Sequence, residues 1–421
     1  MTLLTHFTLL SFRSIPKFTC TRYYSSTTTR PLRILFFGTD DFASTHLKAL
    51  IKEKNHKNSC IASLDLVCPP DSRTGRKLNT LTPSATKGLA ELYNIPVQHT
   101  PAKAESLDNW NIENKNNIPY DLGVVVSFGY FIPPHIIDSF RYGAINVHPS
   151  LLPKFRGAAP IQHTILQGEN ETGVTVQELD DKEFDAGRIL AQTKVDLSTD
   201  HAPTYKDLSL FLANVGSDLL LDTLRNFEDR KKNAKTQDIS QATKAPKIKK
   251  EWANIDFDLM ASWQIEQLHR AIGEQYPLRV TFTFSRIKRS LKVKQNITTL
   301  QLSHIHLPLD SPFYDDHHST FPPGTFMLDK RTKTLHIMCA DGQVIGVTHL
   351  KAENKNAITA KDFINGYEIR HTGQFNINVD PSTVKPGQSG VRITKRREFY
   401  EKTIRKRLGI RKEVYNKIYK A

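Results

Sequence analysis

Apolar and polar positions along the chain fall into two regimes. In the first half, compact apolar runs alternate with segments of helical spacing. Leu32–Phe37 reads as a strand closed by Gly38-Thr39-Asp40-Asp41, and Phe42–Leu50 as the helix that follows, with Thr39 and the two aspartates as cap candidates. Ile61–Val67 is a second strand, followed by a polar loop to Thr80 and a helix opening at Pro83. Tyr120–Ser127, with Val124-Val125-Val126 at its centre, has the continuous apolar character of a buried parallel strand. Gly143–His148 is a further strand, Pro160–Leu166 opens a helix, Gly173–Leu179 and Arg188–Leu197 are strands, and Tyr205–Phe227 is a long helix. This alternation predicts an open, mostly parallel, Rossmann-like α/β sheet, whose ligands bind outside the carboxyl ends of the strands.

The second regime begins after a change of character. Residues 228–250 crowd lysines among few large apolar residues and are expected to be a linker. Beyond them Ile265–Ile272 is amphipathic. Short strands follow at Leu278–Phe284, Gly324–Leu328, Thr334–Ala340 and Val344–Leu350, punctuated by Pro322-Pro323-Gly324 and Asp341-Gly342. That spacing predicts a small OB-like β-barrel over 251–375, with Leu307–Pro322 as an inserted loop.

Composition refines this division. The 421 residues suit two or three domains, and 38% hydrophobic content is enough for real cores. The net charge of +15 splits into +4 on residues 1–30, +9 on 392–421 and +2 on everything between. The charge therefore sits in the two ends, and its sign favours a polyanionic partner. Residues 1–30 are rich in Ser and Thr, hold Arg13, Lys17, Arg22 and Arg30, and contain no acid. That is the composition of a mitochondrial targeting peptide, and Arg22-Tyr23-Tyr24-Ser25 resembles a matrix-processing junction that would leave Ser25 first. The expected location is the mitochondrial matrix. Four scattered cysteines give neither a disulfide framework nor a zinc site. No apolar run is long enough for a membrane span.

The densest candidate chemistry is Asn146-Val147-His148-Pro149-Ser150-Leu151-Leu152-Pro153. Asn146 and His148 are two apart at a strand end, so they share a face. A neutral amide donor beside an imidazole is an economical way to hold a carbonyl oxygen as it gains charge. The acid-rich turn Asp180-Asp181-Lys182-Glu183-Phe184-Asp185-Ala186-Gly187 could supply a carboxylate partner to His148, and spacing leaves Asp180, Asp181, Glu183 and Asp185 all open. Phe37-Gly38 is not followed by a dinucleotide fingerprint, so no NAD is expected. Asp315-Asp316-His317-His318 and His304/His306 offer no ligand set fixed on regular structure, and no metal is expected.

The Asn146–Pro153 block, followed by Phe155-Arg156-Gly157-Ala158-Ala159-Pro160-Ile161-Gln162 and Glu171-Thr172-Gly173-Val174-Thr175, resembles the methionyl-tRNA formyltransferases, members of the folate-dependent formyltransferases. Phe37–Ala43 and Phe128–Pro133 fit the same family; Ile255-Asp256-Phe257, Pro323-Gly324-Thr325 and Ala360–Phe363 agree more loosely, so the resemblance runs from about Leu32 to Tyr367. It implies a formyltransferase fold over 31–227 and a tRNA-binding barrel over 251–375. The implied reaction moves a formyl group from 10-formyltetrahydrofolate to the amine of methionine on initiator tRNA, without a metal. The resemblance gives Asn146 and His148 the developing oxyanion and makes Asp185 the partner that orients His148 and a water. Ser150, Leu151, Leu152 and Pro153 would line the folate pocket, with a cis bond at Leu152-Pro153. The turn before Asp185 is one residue longer than the family pattern and places Glu183 near the family's glycine. The family's basic insertion is shortened here to Arg73-Thr74-Gly75-Arg76-Lys77.

Arg73, Arg76 and Lys77, with the linker lysines Lys247, Lys249 and Lys250, are expected to touch tRNA phosphates. Outside the resemblance, residues 376–421 form a basic tail whose Phe399, Ile404, Leu408, Val414 and Ile418 suggest a part-helical RNA contact, on the tRNA or the mitochondrial ribosome. A monomer is the expected state. Two other formyltransferase substrates, glycinamide ribonucleotide and amino-sugar nucleotides, compete with this reading, as does a non-catalytic RNA-binding relative. The barrel argues against the first, the targeting segment and basic linker against the second, and the intact Asn146, His148 and Asp185 against the third.

Overall fold

A computed structural model of the chain describes residues 30–102, 106–114, 118–198, 202–287, 293–314 and 321–376. The expected targeting segment (but for Arg30), the basic tail (but for Asn376) and Asp315–His318 lie outside the described residues.

The first half runs through β1 (Leu32–Gly38), α1 (Asp41–Lys54), β2 (Ile61–Cys68), a hairpin of β3 (Ser72–Thr74) and β4 (Thr80–Thr82), α2 (Ala85–Leu92) and β5 (Val97–His99). It continues with β6 (Leu122–Val126), a single turn α3 (Pro134–Ile137), β7 (Ala144–His148), α4 (Pro160–Gln167), β8 (Glu171–Glu178), β9 (Ile189–Asp196) and α5 (Tyr205–Arg225). The main sheet has the order β5-β2-β1-β6-β7-β8-β9. Its first five strands are parallel and β8 and β9 extend it through antiparallel pairings. The mostly parallel α/β sheet expected from the apolar runs is present.

Burial on both faces explains those unbroken runs. Ile34 and Phe36 face a core shared with Leu47, Leu50 and Leu212 from α1 and α5, whereas Leu35 and Phe37 face a second cluster with Phe128 and Phe140. The helix starts are set by side-chain caps. Asp40 accepts from the Ala43 amide at 2.9 Å, Ser84 from Lys87 at 3.1 Å, and Thr204 pairs reciprocally with Asp207. The helix expected from Pro83 thus begins at Ala85, because Ser84 takes the cap.

After α5 come α6 (Phe227–Lys232) and α7 (Ser262–Ile272), then β10 (Leu278–Ile287), β11 (Val293–His306), β12 (Thr325–Asp329), β13 (Thr334–Met338), β14 (Val344–Ala352), β15 (Ile358–Thr359), α8 (Ala360–Gly366) and β16 (Thr372–Gln374). The antiparallel order is β10-β11-β14-β13-β12-β16, with β15 on β14. The Asn376 amide donates to Thr281 O at 3.0 Å, which returns the chain to β10 and nearly closes the barrel. Phe282, Phe326, Phe363 and Phe375 fill it. The two halves share one core: Gln267 Nε2 on α7 donates to Ile165 O on α4 at 2.7 Å, and Trp252 packs edge-on to His163.

Residues 228–250, expected as a linker, carry most of α6 and then pair with the first half through their backbone. Beyond α6 the chain lies as a strap across the carboxyl edge of the main sheet. Lys235 bridges to Ile189, and Thr243–Ala245 exchange backbone hydrogen bonds with Arg156 and Ala159. Among the described residues no helix is long and apolar enough to cross a membrane.

Candidate active site

β7 ends the parallel part of the sheet, and its last residue is His148. Asn146 and His148 project from one face of it, as the two-residue spacing requires. His148 is buried at 5% exposure. Its Nε2 lies 2.9 Å from Phe155 O, and its Nδ1 lies 3.4 Å from Asp185 Oδ1. The backbone carbonyl can only accept, so the Nε2–H donates to it.

Of the four acids left open in the turn, Asp185 reaches the centre. Its Oδ1 accepts from Asn146 Nδ2 at 3.1 Å and from Gln177 Nε2 at 3.0 Å, while Oδ2 accepts from the Gly157 amide at 2.8 Å. Asp180 is spent locally, accepting from the Lys182 and Glu183 amides at 2.9 Å each. Glu183 turns outward to Arg156, 3.7 Å away, and Asp181 is exposed. The turn delivers its carboxylate through a left-handed residue: Asp185 has φ 56°, a region that Asp tolerates better than most residues. Gly187 then passes so close to β8 that a Cβ would lie 1.8 Å from Glu178 O. No other residue fits there.

The Ser150–Pro153 segment is a tied loop. Ser150 is fully buried, with its hydroxyl donating to Lys154 O at 2.7 Å. Thr175 Oγ1 donates to Ser150 O at 2.7 Å and accepts from the Leu152 amide at 3.2 Å. Leu151 is half-buried against Gly173, Leu152 is buried, and Leu152-Pro153 is cis. Beside Asp185 the Phe184 ring, 56% exposed, packs edge-on against Phe131 from the loop after β6, which offers an apolar face at the mouth of the site. Donors, a carboxylate and an imidazole converging at the carboxyl edge suit transfer of a carbonyl group to a nucleophile, where charge grows on one oxygen and a proton must leave.

Residues 32–224 match the profile of the "Formyl transferase" family and residues 247–368 that of the "Formyl transferase, C-terminal domain". The "Methionyl-tRNA formyltransferase, mitochondrial" of Homo sapiens is 34% identical over 353 residues, 84% of this chain and 82% of its own. The chain belongs to the methionyl-tRNA formyltransferase family. A methionyl-tRNA formyltransferase of Thermosynechococcus vestitus is 32% identical over 82% of this chain and 98% of its own. Among solved structures, HypX from Aquifex aeolicus in complex with tetrahydrofolic acid covers 85% of this chain and 50% of its own, at TM-score 0.48 and 16% identity.

The basic segment Arg73–Lys77 follows β2. It lies in the β3–β4 hairpin, which stands at the same edge of the sheet as His148. Arg73 and Lys77 are exposed there beside Leu78 and Leu81, at 59% and 60% exposure, while the Arg76 side chain lies outside the described residues. Lys247, Lys249 and Lys250 are exposed on the strap. Among the described residues no group of three or more His, Cys, Asp or Glu is placed to hold a metal. Sequence reasoning missed Gln177, Gly157 and Gln237. Gln237 is only 6% exposed, although it sits in a polar, lysine-bearing stretch whose one visible signal is its break in charge.

Proposed function

We propose that this protein transfers the formyl group of 10-formyltetrahydrofolate to the α-amine of methionine on initiator methionyl-tRNA, for translation initiation in the mitochondrial matrix. The observation that carries the reading is the convergence of Asn146, His148 and Asp185 at the carboxyl edge of the sheet, in a chain of this family. When bound, the folate supplies an activated formyl group. Asn146 Nδ2 donates one N–H to Asp185 and has a second to offer the formyl oxygen as it gains negative charge. His148, held through Nδ1 by Asp185, adds a second donor there when its Nε2–H turns from Phe155 O to the formyl oxygen, and Asp185 takes up the proton leaving the amine, directly or through a water. The Ser150–Pro153 loop and the Phe131–Phe184 pair supply the walls against which the folate ring would lie. No covalent enzyme intermediate is needed, because the amine is itself the nucleophile: the new C–N bond replaces the formyl–N10 bond of the folate, and the proton the amine loses balances the one N10 gains.

The tRNA would be held by phosphate contacts from Arg73, Arg76 and Lys77 on the hairpin and from Lys247, Lys249 and Lys250 on the strap, with the barrel beside them. Twelve Lys/Arg in residues 392–421 support a further RNA contact by the tail. An acid-free, Arg-bearing N-terminus and the mitochondrial relative of Homo sapiens support the location.

The test is formyl transfer by the full-length chain from 10-formyltetrahydrofolate to three acceptors: methionyl-tRNA, glycinamide ribonucleotide and an amino-sugar nucleotide. Transfer to the tRNA alone is expected. Transfer to a small amine in preference to the tRNA would overturn the reading.

A further inference from the structure

Asp185 is held by more than its immediate neighbours. Arg156 Nε and Nη2 both donate to Gln237 Oε1, at 3.1 and 2.8 Å. Gln237 Nε2 donates to Gln177 Oε1 at 3.0 Å, and lies 3.0 Å from Asp185 O and 2.7 Å from Gly187 O. Gln177 Nε2 donates to Asp185 Oδ1 at 3.0 Å. A guanidinium has donors and no acceptor, whereas a side-chain amide has one of each. Arg156 at one end, and the Asp185 and Gly187 carbonyls with the Asp185 carboxylate at the other, therefore fix one direction for the whole series. The Arg156 N–H groups turn the Gln237 oxygen toward them, which turns the Gln237 amide toward Gln177 and the Gln177 amide toward the carboxylate. Reversed at any step, two oxygens would face each other in a nearly water-free space.

We propose that Arg156, Gln237 and Gln177 form a directed hydrogen-bond relay that positions the Asp185 carboxylate for formyl transfer, with Gln237 as its central positioning residue. The inference rests on the reading of Asp185 given above. It also assigns a purpose to the strap, which brings Gln237 from outside the sheet to the rear of the catalytic turn. The close approach this needs is built in: Gly157 has φ 121°, and a Cβ there would lie 2.8 Å from Ala245 O on the strap.

Gln237→Glu tests the relay with little change of shape. The new carboxylate still accepts from Arg156 but cannot donate, so Gln177 turns its N–H toward position 237 and its oxygen toward Asp185. The charged and titratable groups around Asp185 are His148 on β7, Glu183 in its own turn and Arg156 in the loop after β7. With those unchanged, kcat should fall by about 10²-fold with KM for folate and tRNA nearly constant. The acid limb of the kcat profile should move to higher pH, because the ionised carboxylate is short of one donor and faces the negative charge added at position 237. Arg156→Met, which removes the donor that holds the Gln237 oxygen and leaves the amides oriented by the backbone carbonyls alone, should give a smaller loss in the same sense, and Arg156→Lys, which keeps a donor-only group, should restore activity. Gln237→Glu with the unsubstituted kcat and pH profile would overturn the relay, as would a loss in both positions that tracks the folded fraction and leaves the pH profile unmoved. Failure of the underlying reading is distinct: Asp185→Asn would then transfer formyl groups as fast as the unsubstituted chain.

Discussion

The Asp185 turn and the β3–β4 hairpin occupy the same edge of the sheet and are built on opposite terms. At Asp185, donors from β7, β8 and the Gly157 loop converge on one carboxylate, and Gln237 reinforces its backbone from the strap. On the hairpin, Arg73 and Lys77 stand in solvent, the loop is pinned by a Thr74–Thr82 hydroxyl contact, and its root is tied by Lys87 to Asp71 at 2.7 Å. Under the proposed function the difference follows from two different tasks. Moving a proton over one bond length needs a carboxylate that has nowhere else to go. Gripping the phosphates of a large, irregular acceptor needs reach, and phosphate contacts tolerate loose geometry. Substitutions in the turn should therefore act on kcat and those in the hairpin on binding.

The largest effects are expected at the strand end. His148→Ala and Asn146→Ala should each lower kcat by about 10²–10⁴-fold, with tRNA affinity within a few-fold of the unsubstituted chain, as read by steady-state formylation and direct binding. Gly157→Ala comes next, because it strikes the turn from the strap side. The added Cβ meets Ala245 O in a backbone conformation that L residues avoid, so stability should drop by about 1–3 kcal/mol, with a fall in kcat as the Gly157 amide shifts from Asp185. Thermal unfolding and kcat measured together would show it; a change in neither would mean the strap is not pressed against the turn. In the hairpin, Arg73→Ala with Lys77→Ala should weaken tRNA binding and lower the salt slope by about one for each phosphate that is no longer neutralised. The kcat at saturating tRNA should stay put. A fall in kcat alone would erase the contrast between the two regions.

The smallest effect at neutral pH concerns the core beneath both. His46 on α1 is completely buried, and burial holds its imidazole down at about 4, with Nδ1 donating to Phe42 O. The unfolded chain takes up that proton near the ordinary value of 6.5. A depressed histidine of this kind leaves stability intact above that value and drains it as the pH falls toward 4, by about 3 kcal/mol at the limit. His46→Leu should flatten that acid loss in denaturation curves taken between these pH values, leaving the share due to His269, which burial also lowers to about 4. An unchanged acid slope would show that His46 titrates normally.

How much of this was legible in the sequence depended on how local the cause was. β1, β6 and β7 stood out because burial on both faces leaves an unbroken apolar run, and Asn146 and His148 followed from the strand period. The cap at Asp40 is likewise a matter of three residues. Spacing alone could not choose among the four acids, because that choice is made by a left-handed φ at Asp185 and by partners 28 and 39 residues away in sequence. The family resemblance singled out Asp185 and drew no attention to Gln237. Its partners lie up to 81 residues distant, and its lysine-bearing surroundings read as solvated linker. β5 escaped for another reason: three residues, Val97–His99, paired to β2 carry no period to detect.

The central claim is that Asp185, in concert with Asn146 and His148, carries out formyl transfer to methionyl-tRNA. The most direct measurement is single-turnover transfer from 10-formyltetrahydrofolate by the full-length chain and by Asp185→Asn, with tRNA affinity determined alongside. The account predicts rapid transfer by the unsubstituted chain and a loss of about 10²–10⁴-fold in the variant at unchanged affinity. Equal rates for the two proteins would contradict it.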